Sequence, residues 1–446
     1  MPTLNLANTK SITIPEGNVK MITTPQGVVL WRKSQAETNK HFYVENISNA
    51  VETLSIVKVS GGNSFNIEYS TDEETWQTLG NPYNSTLTLS VAVGQKVYLR
   101  SSNNTFRYAI RGVSKVGGNT MSLLYGSNFT GNETSFPSNA TSQLQNLCNG
   151  NSKLVDASKL ALPATTLTNS CYYRMFYGCT SLTTAPELPA TTLASGCYQL
   201  MFYGCTALTA APALPATTAT SECYRQMFYG CTSLTTAMEI SATTLADNCC
   251  YSMFEGCTSL IVAPTICATT TAYYCCYGMF KGCTALTTVP ALPATTAAER
   301  CYLNMFYGCT SLTTVPDLLS TPSGDLCYSG MFEGCTSLIV APSLLTSSMS
   351  YDACYRMFYG CTSLTTAPVL PATTLADGCY QNMFQNSSSV NYIKCLATDI
   401  SAPSCLTNWT NGVAATGTFV KDPSMSSWST GVNGIPSGWI VEDAQS

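Results

Sequence analysis

The dipeptide Met-Phe recurs at Met175, Met201, Met227, Met253, Met279, Met305, Met331, Met357 and Met383, and every interval is 26 residues. A fixed period held over nine copies with no insertion makes each copy one supersecondary unit in a stack. Gly-Cys-Thr follows in eight copies, putting Cys179, Cys205, Cys231, Cys257, Cys283, Cys309, Cys335 and Cys361 in one register; the ninth copy has Ser387 there.

One unit, Cys171 to Ser195, predicts the coil. Leu182, Thr183, Thr184 and Ala185 are short and β-compatible, and Pro186 and Pro189 close them, which predicts one short strand. Tyr172, Met175 and Phe176 stand at i, i+3 and i+4 ahead of Gly178, which predicts one to two helical turns ended by a left-handed glycine. A lone coil cannot bury its own apolar residues. Stacking puts Leu182, Leu208, Leu234, Leu260, Leu286, Leu312, Leu338 and Leu364 in one interior row, with Met and Phe rows opposite. The expected fold is a mixed β/α solenoid with strands about 4.8 Å apart on one face. A bulkier helical side would bend it into a horseshoe-like arc.

The phrase Met-Phe-x-Gly-Cys-Thr-Ser-Leu-Thr-Thr-Ala-Pro resembles the BspA-like leucine-rich repeats of surface proteins from gut and oral bacteria, over about residues 149–397. Asn66 to Gly112, Met121 to Gly126 and the tail Gly431 to Trp439 are similar to flanks common in such proteins. The resemblance implies a leucine-rich-repeat-like stack used for adhesion or recognition, without catalysis. It also implies that the residue before each strand, Asn or Cys, is buried and bonded to loop backbone; Asn151, three residues before Leu154, fills that role in a degenerate opening coil.

Four segments follow: a β-arm and linker at 1–39, a small antiparallel sandwich at 40–126, the solenoid with its caps at 127–400, and a Trp- and Gly-rich cap at 401–446. In the arm, Ser11 to Pro15, Val19 to Thr23 and Val28 to Trp31 are β-prone, and Ser34 to Asn39 reads as a polar linker. The ending Val-Leu-Trp-Arg-Lys looks similar to leading segments of bacteriophage tail and fibre proteins. In the sandwich, Leu54 to Val59, Phe65 to Tyr69, Leu87 to Val91, Lys96 to Leu99 and Phe106 to Ile110 are the expected strands. Thr71 to Glu74 reads as a solvated acidic hairpin tip, since it lacks the spacing of a calcium loop. Trp409, Phe419, Trp428 and Trp439 read as the core of the cap.

Composition removes several function classes. Charged residues are 10% of the chain, against roughly 25% in an average domain. A net charge of -5 with 20 Lys and Arg gives no electrostatic footing on nucleic acid or an anionic membrane. No apolar run reaches the roughly 18 residues of a membrane span. Met1 to Lys33 lacks the pattern of a secretory signal peptide, so a virion protein released by lysis is expected ahead of a secreted one. His41 is the sole histidine, expected as an ordinary surface imidazole, and its isolation excludes most hydrolase and metalloenzyme designs. No phosphate loop and no recurrent carboxylate pair appears, so no catalytic residue, metal or cofactor is expected.

The 23 cysteines fall into rows: eight in Gly-Cys-Thr, eight four residues before Met (Cys171, Cys197, Cys223, Cys249, Cys275, Cys301, Cys327, Cys379), three one place later (Cys250, Cys276, Cys354), and four elsewhere (Cys148, Cys267, Cys395, Cys405). Packing as buried thiols accounts for them, with bridges between stacked coils left open on distance. Cys-x7-Cys without histidine is not a usual zinc spacing.

Two outward rows are candidate binding surfaces. On the strand face, Thr183, Thr209, Thr235, Ile261, Thr287, Thr313, Ile339 and Thr365 follow the interior Leu, and Ile261-Val262 and Ile339-Val340 set apolar steps into a hydroxyl-lined ramp. Stacked β-branched residues also simply stabilise strands. On the other side, Tyr177, Tyr203, Tyr229, Tyr307 and Tyr359 offer rings and hydroxyls suited to sugars, or pack between coils. The expected function is recognition of a bacterial-envelope or mucosal glycan or protein. The expected setting is a phage virion, docked to other virion proteins through the arm and multimeric as fibres commonly are, or a gut bacterium's cell surface.

Overall fold

The computed structural model describes residues 21–23, 29–32, 37–58, 65–83, 85–101, 105–137, 141–318, 320–344, 349–426 and 428–445. In the arm, β1 (Met21–Thr23) and β2 (Val29–Arg32) pair antiparallel. The strand expected at Ser11 to Pro15 lies outside the described residues.

The alternating runs that follow form two antiparallel layers. Strands β3 (Tyr43–Glu45), β4 (Glu52–Lys58), β5 (Ile67–Ser70), β6 (Gln77–Gly80), β7 (Leu87–Val91), β8 (Lys96–Arg100), β9 (Tyr108–Arg111) and β10 (Lys115–Asn119) come in chain order. One layer is β7-β4-β9; the other is β10-β3-β8-β5-β6 with β11 (Asp156–Ala161) added at its edge. Phe42, Val44, Leu54, Ile56, Val97, Leu99 and Ile110 are fully buried between them. A four-residue helix, α1 (Ser122–Tyr125), is the only α-helix among the described residues.

β11 pairs with β10 in parallel, and Asp156 bridges onward to Thr184, so the sandwich sheet runs directly into the first face of the solenoid. The sandwich therefore covers the first coil. On the opposite side of that coil, the Phe106 and Ile110 amides donate to the Gln143 and Leu147 carbonyls.

Each coil lies almost wholly without helix, and the fold is a β-solenoid. Cys171 to Tyr177, expected as one to two helical turns, is a chain of turns. Ser170, Arg174 and Gly178 have φ of +54°, +54° and +69°, so every fourth residue is left-handed and an α-helix cannot propagate. The Tyr173, Met175, Tyr177 and Cys179 amides close i to i−3 bonds of 3.1–3.2 Å within the coil. Alternate amides, those of Tyr172, Arg174, Phe176 and Gly178, donate instead to Cys197, Gln199, Met201 and Tyr203 carbonyls of the next coil, at 2.7–3.1 Å. Every amide along this turn ribbon has a partner, half within the rung and half on the next. Burial follows the same period of four: Cys171-Tyr172 and Met175-Phe176 point in, Tyr173-Arg174 and Tyr177-Gly178 face out.

The remaining side of each coil joins its neighbours in three parallel columns. One runs Ala210, Thr236, Val262, Thr288; a second Leu214, Ile240, Ile266; a third Thr218, Thr244, Thr270. In the third column the pairing is long enough to give β12 (Thr218–Ala219) with β13 (Thr244–Leu245), and β14 (Thr296–Ala297) with β15 (Thr321–Pro322). Both sides of the coil thus repeat at hydrogen-bonding distance, and the helical layer that would have splayed the stack into an arc is absent.

The interior rows form as expected. All eight row leucines, from Leu182 to Leu364, are fully buried. Phenylalanines from Phe176 to Phe384 stack in one column, rings parallel within 11° and centroids 5.3–5.7 Å apart. Beside it runs a buried column holding Tyr172, Tyr198, Tyr224, Tyr302, Tyr328 and Tyr380; the three displaced cysteines, Cys250, Cys276 and Cys354, take the tyrosine place in their coils.

At the far end the ribbon makes one more pass, with Ser404, Asn408 and Gly412 left-handed and Trp409 fully buried. Strands β16 (Tyr392–Cys395), β17 (Thr418–Lys421) and β18 (Ile440–Asp443) extend the stack in parallel. Trp409 packs on Phe419 and Trp428, and the Trp439 indole donates to the Ala414 carbonyl, so the tail aromatics are cap core.

Candidate recognition surfaces

Thr183, Thr209, Thr235, Ile261, Thr287, Thr313, Ile339 and Thr365 all face out from the first strand column. Hydroxyls of Thr183, Thr235 and Thr287 donate to the Val155, Thr209 and Ile261 carbonyls one coil back, at 3.0–3.3 Å. Those threonines therefore help hold the rungs together. The isoleucine steps have no hydroxyl to donate, and they stay in solvent: Ile261 is 50% exposed, Val262 55%, Ile339 52% and Val340 56%. A shallow hollow of about 410 Å³, lined by Ala341, Pro342, Ser343, Leu344, Pro368, Val369 and Pro371, continues the chain past the second step. Both pairs belong to one longer duplicated phrase, Glu-Gly-Cys-Thr-Ser-Leu-Ile-Val-Ala-Pro, at Glu255 to Pro264 and Glu333 to Pro342.

The tyrosine row packs between coils over part of its length. Tyr177, Tyr203 and Tyr229 stack on one another with centroids 4.8 and 4.6 Å apart, so their faces cover each other. Arg174 lies over Tyr177, Lys281 over Tyr307 and Arg356 over Tyr359, the last at 3.9 Å. Between its tyrosines the row carries charge: Glu255 pairs with Lys281 at 3.3 Å, and the Glu333 carboxylate accepts from both Nε and Nη2 of Arg356. Ring faces in this row are therefore partly taken up by packing between coils, while Tyr307 stays 37% exposed.

All 23 cysteines are free thiols, and all but the half-buried Cys267 are buried. In the Gly-Cys-Thr row the thiols from Cys205 to Cys361 donate to a phenylalanine carbonyl of the preceding coil, Cys205 to Phe176, Cys231 to Phe202 and Cys257 to Phe228 each at 3.1 Å, and Cys179 donates to the Cys148 carbonyl. Ser387 does the same with its hydroxyl to Phe358, at 2.6 Å. Buried Asn151 bonds the Val113 carbonyl and Gly112 amide, as the role implied for it requires. Burial pushes the Cys179, Cys231 and Cys335 thiols up to about 12, which keeps them protonated and unreactive.

His41 is not the surface imidazole expected of it. It sits between Trp76 and Phe129, 4.7 and 4.8 Å from their ring centres, with Nδ1 3.2 Å from a Glu73 carboxylate oxygen. Burial lowers its pKa, and Glu73 works against that. The acidic turn is correspondingly not just solvated: Glu73 also accepts from the Lys40 ammonium and the His41 amide, and Asp72 caps the Glu74 and Thr75 amides. These contacts latch the β5-β6 hairpin to the start of β3.

Among the described residues, no three His, Cys, Asp or Glu side chains are grouped to hold a metal ion, and no helix is long and apolar enough to cross a membrane. No family model matches the chain, and no curated protein matches it.

Proposed function

We propose that the protein is a non-catalytic recognition or adhesion protein that contacts its partner through the outer strand face of the solenoid. The observation that carries this is the pair of solvent-facing apolar steps, Ile261-Val262 and Ile339-Val340, each at least half exposed on a rigid surface otherwise lined with threonine. Apolar groups held in water by an ordered scaffold cost free energy when uncovered, and covering the exposed half of one such side chain returns about half of the roughly 1.5–3 kcal/mol that full burial is worth. The scaffold is suited to the role, since rungs hydrogen-bonded on both sides hold those steps in fixed register.

In this reading the partner is a glycan or protein of a bacterial envelope or a mucosal surface. The protein's setting is a phage virion, where the Met1 to Lys33 arm docks to other structural proteins. The arm's likeness to phage fibre leaders and its β1-β2 hairpin support that setting. A gut-bacterial surface adhesin is the second reading, supported by the likeness of the repeat phrase to BspA-like proteins.

The test is binding of the full chain to whole gut bacteria and to mucin, compared with an Ile261→Asp, Ile339→Asp variant. Both positions are exposed, so the variant should keep its melting temperature and lose most of its binding. Equal binding by the two proteins would remove the strand face from the proposal.

A further inference from the structure

At the far end of the stack one strand edge is left open. β18 follows β16 and β17 in parallel, and no strand among the described residues pairs with its outer side. The Ile440 and Ala444 amides donate inward, to the Gly417 and Lys421 carbonyls, so the alternate residues Val441 and Asp443 turn their N–H and C=O groups outward. All four residues of the strand are exposed, Ile440 at 65% and Val441 at 46%. Residue types are graded along it, apolar at Ile440 and Val441 and acidic at Glu442 and Asp443. Lys421 neutralises Asp443, whereas Glu442 has no ion-pair partner among the described residues.

A second open edge lies in the arm. β1 and β2 form a two-stranded sheet, which leaves one edge of β2 without a partner strand among the described residues. The sequence of β2 is graded in the same direction, Val29, Leu30 and Trp31 and then Arg32, with the sign of the charge reversed. Laid parallel on β18, this sequence sets Leu30 beside Ile440, Trp31 beside Val441 and Arg32 beside Glu442.

We propose that β2 of one copy of this chain adds in parallel to the β18 edge of another, so that copies join head to tail. Reach excludes pairing within one chain. The Glu37 amide is bonded to the Lys159 carbonyl on β11, and Asp156 of β11 and Ile440 stand at opposite ends of one strand column, eleven rungs or about 53 Å apart at ~4.8 Å per rung. The stretch from Arg32 to Glu37 spans at most about 18 Å. Charge disfavours a second β18 as the partner. Two such strands laid edge to edge set carboxylates against apolar residues or against each other, a device by which proteins keep edges apart. Each copy offers one strand and one receiving edge on different surfaces, so the contact is heterologous and the row stays open-ended. Only the first copy in a row keeps a free arm for a different structural protein. The strand face is untouched, so this proposal does not rest on the one above.

Sedimentation velocity of the full chain over a range of concentrations tests it. The contact is small, so association should be weak and should grow with concentration through dimer, trimer and longer species. Arg32→Glu and Glu442→Arg should each weaken it at least about tenfold by setting like charges together. Mixing those two variants should restore association, since every junction in the mixture can again match opposite charges. Val441→Pro removes an N–H that faces solvent in the single chain, so it should keep the parent melting temperature and still lose association. A dimer insensitive to Arg32→Glu would mean paired β18 edges instead. That result, a chain monomeric at every concentration, a mixture that associates no better than its parts, or parent-like association in Arg32→Glu or in a folded Val441→Pro overturns the proposal.

Discussion

The Cys257 thiol does two jobs, filling interior space and donating to the Phe228 carbonyl. Ser387 shows that a hydroxyl can serve in its place. Cys257→Ser should therefore melt close to the parent, whereas Cys257→Ala, which leaves that donor position empty, should cost about 1–2 kcal/mol in chemical denaturation. Burial also makes the thiols a clock for alkaline unfolding. An unfolded cysteine ionises near about 8.5, while Cys179, Cys197, Cys231, Cys335 and Cys395 are pushed up to about 12 in the folded chain. Their contribution is intact below the unfolded value and is lost as pH climbs from there toward 12, because only the unfolded chain releases its protons. Each such thiol forfeits about 1.4 kcal/mol per pH unit, so thermal melting temperature should fall steeply between about pH 9 and 11 and hold below pH 8. Thiol labelling at pH 8 should modify Cys267 alone in the native protein and all 23 cysteines after denaturation. The row positions of the cysteines were legible in the sequence. Their hydrogen-bond acceptor was not, since it lies 29 residues back on another coil.

The turn ribbon is where sequence reasoning went astray, and the reason is arithmetic. Tyr172, Met175 and Phe176 fit a period of 3.6 as well as a period of four when the run is only eight or nine residues long. The deciding feature is left-handed backbone at every fourth position, and glycine advertises it at only one or two of the three sites per coil. Arg174, Leu200 and Gln226 adopt φ of +54°, +59° and +53° with nothing in their identity to announce it. Inter-coil hydrogen bonds, invisible locally, hold them there. The Leu-Thr-Thr strand with its closing prolines was legible, because β-branched residues and proline act through local sterics. Gly230 offers a clean test of the ribbon, having φ of +69° and open space where a Cβ would project. Gly230→Val should cost about 1–2 kcal/mol through backbone conformation alone. Gly230→Asn should cost less, as Asn386 occupies the equivalent place at φ of +62°. Hydrogen exchange of the Phe202 and Phe228 amides, which donate to the neighbouring coils, would report the local loosening.

At the scale of the molecule, the stack and its register were readable from the period, and so was the identity of the interior leucines. The junction was not: a boundary at residue 126 hides that β11 belongs to the sandwich sheet and the solenoid at once, since sheet continuity depends on pairing between distant segments. A register this strict makes internal deletions diagnostic. Removing Cys223 to Asn248, one full repeat, should leave circular dichroism per residue and solubility unchanged, since each coil contacts only its neighbours. Removing Cys223 to Ala246, two residues fewer, sets every later side chain out of line and should yield aggregated protein in size-exclusion chromatography. The sandwich seals one end of the stack, whereas β18 closes the other as a single solvent-facing strand, with Ile440 and Val441 uncovered. Between those two fixtures, gene duplication or loss can insert or excise whole rungs without redesigning either terminus, so the length of the shaft is a heritable setting that evolution can dial while the fittings at both ends are inherited intact.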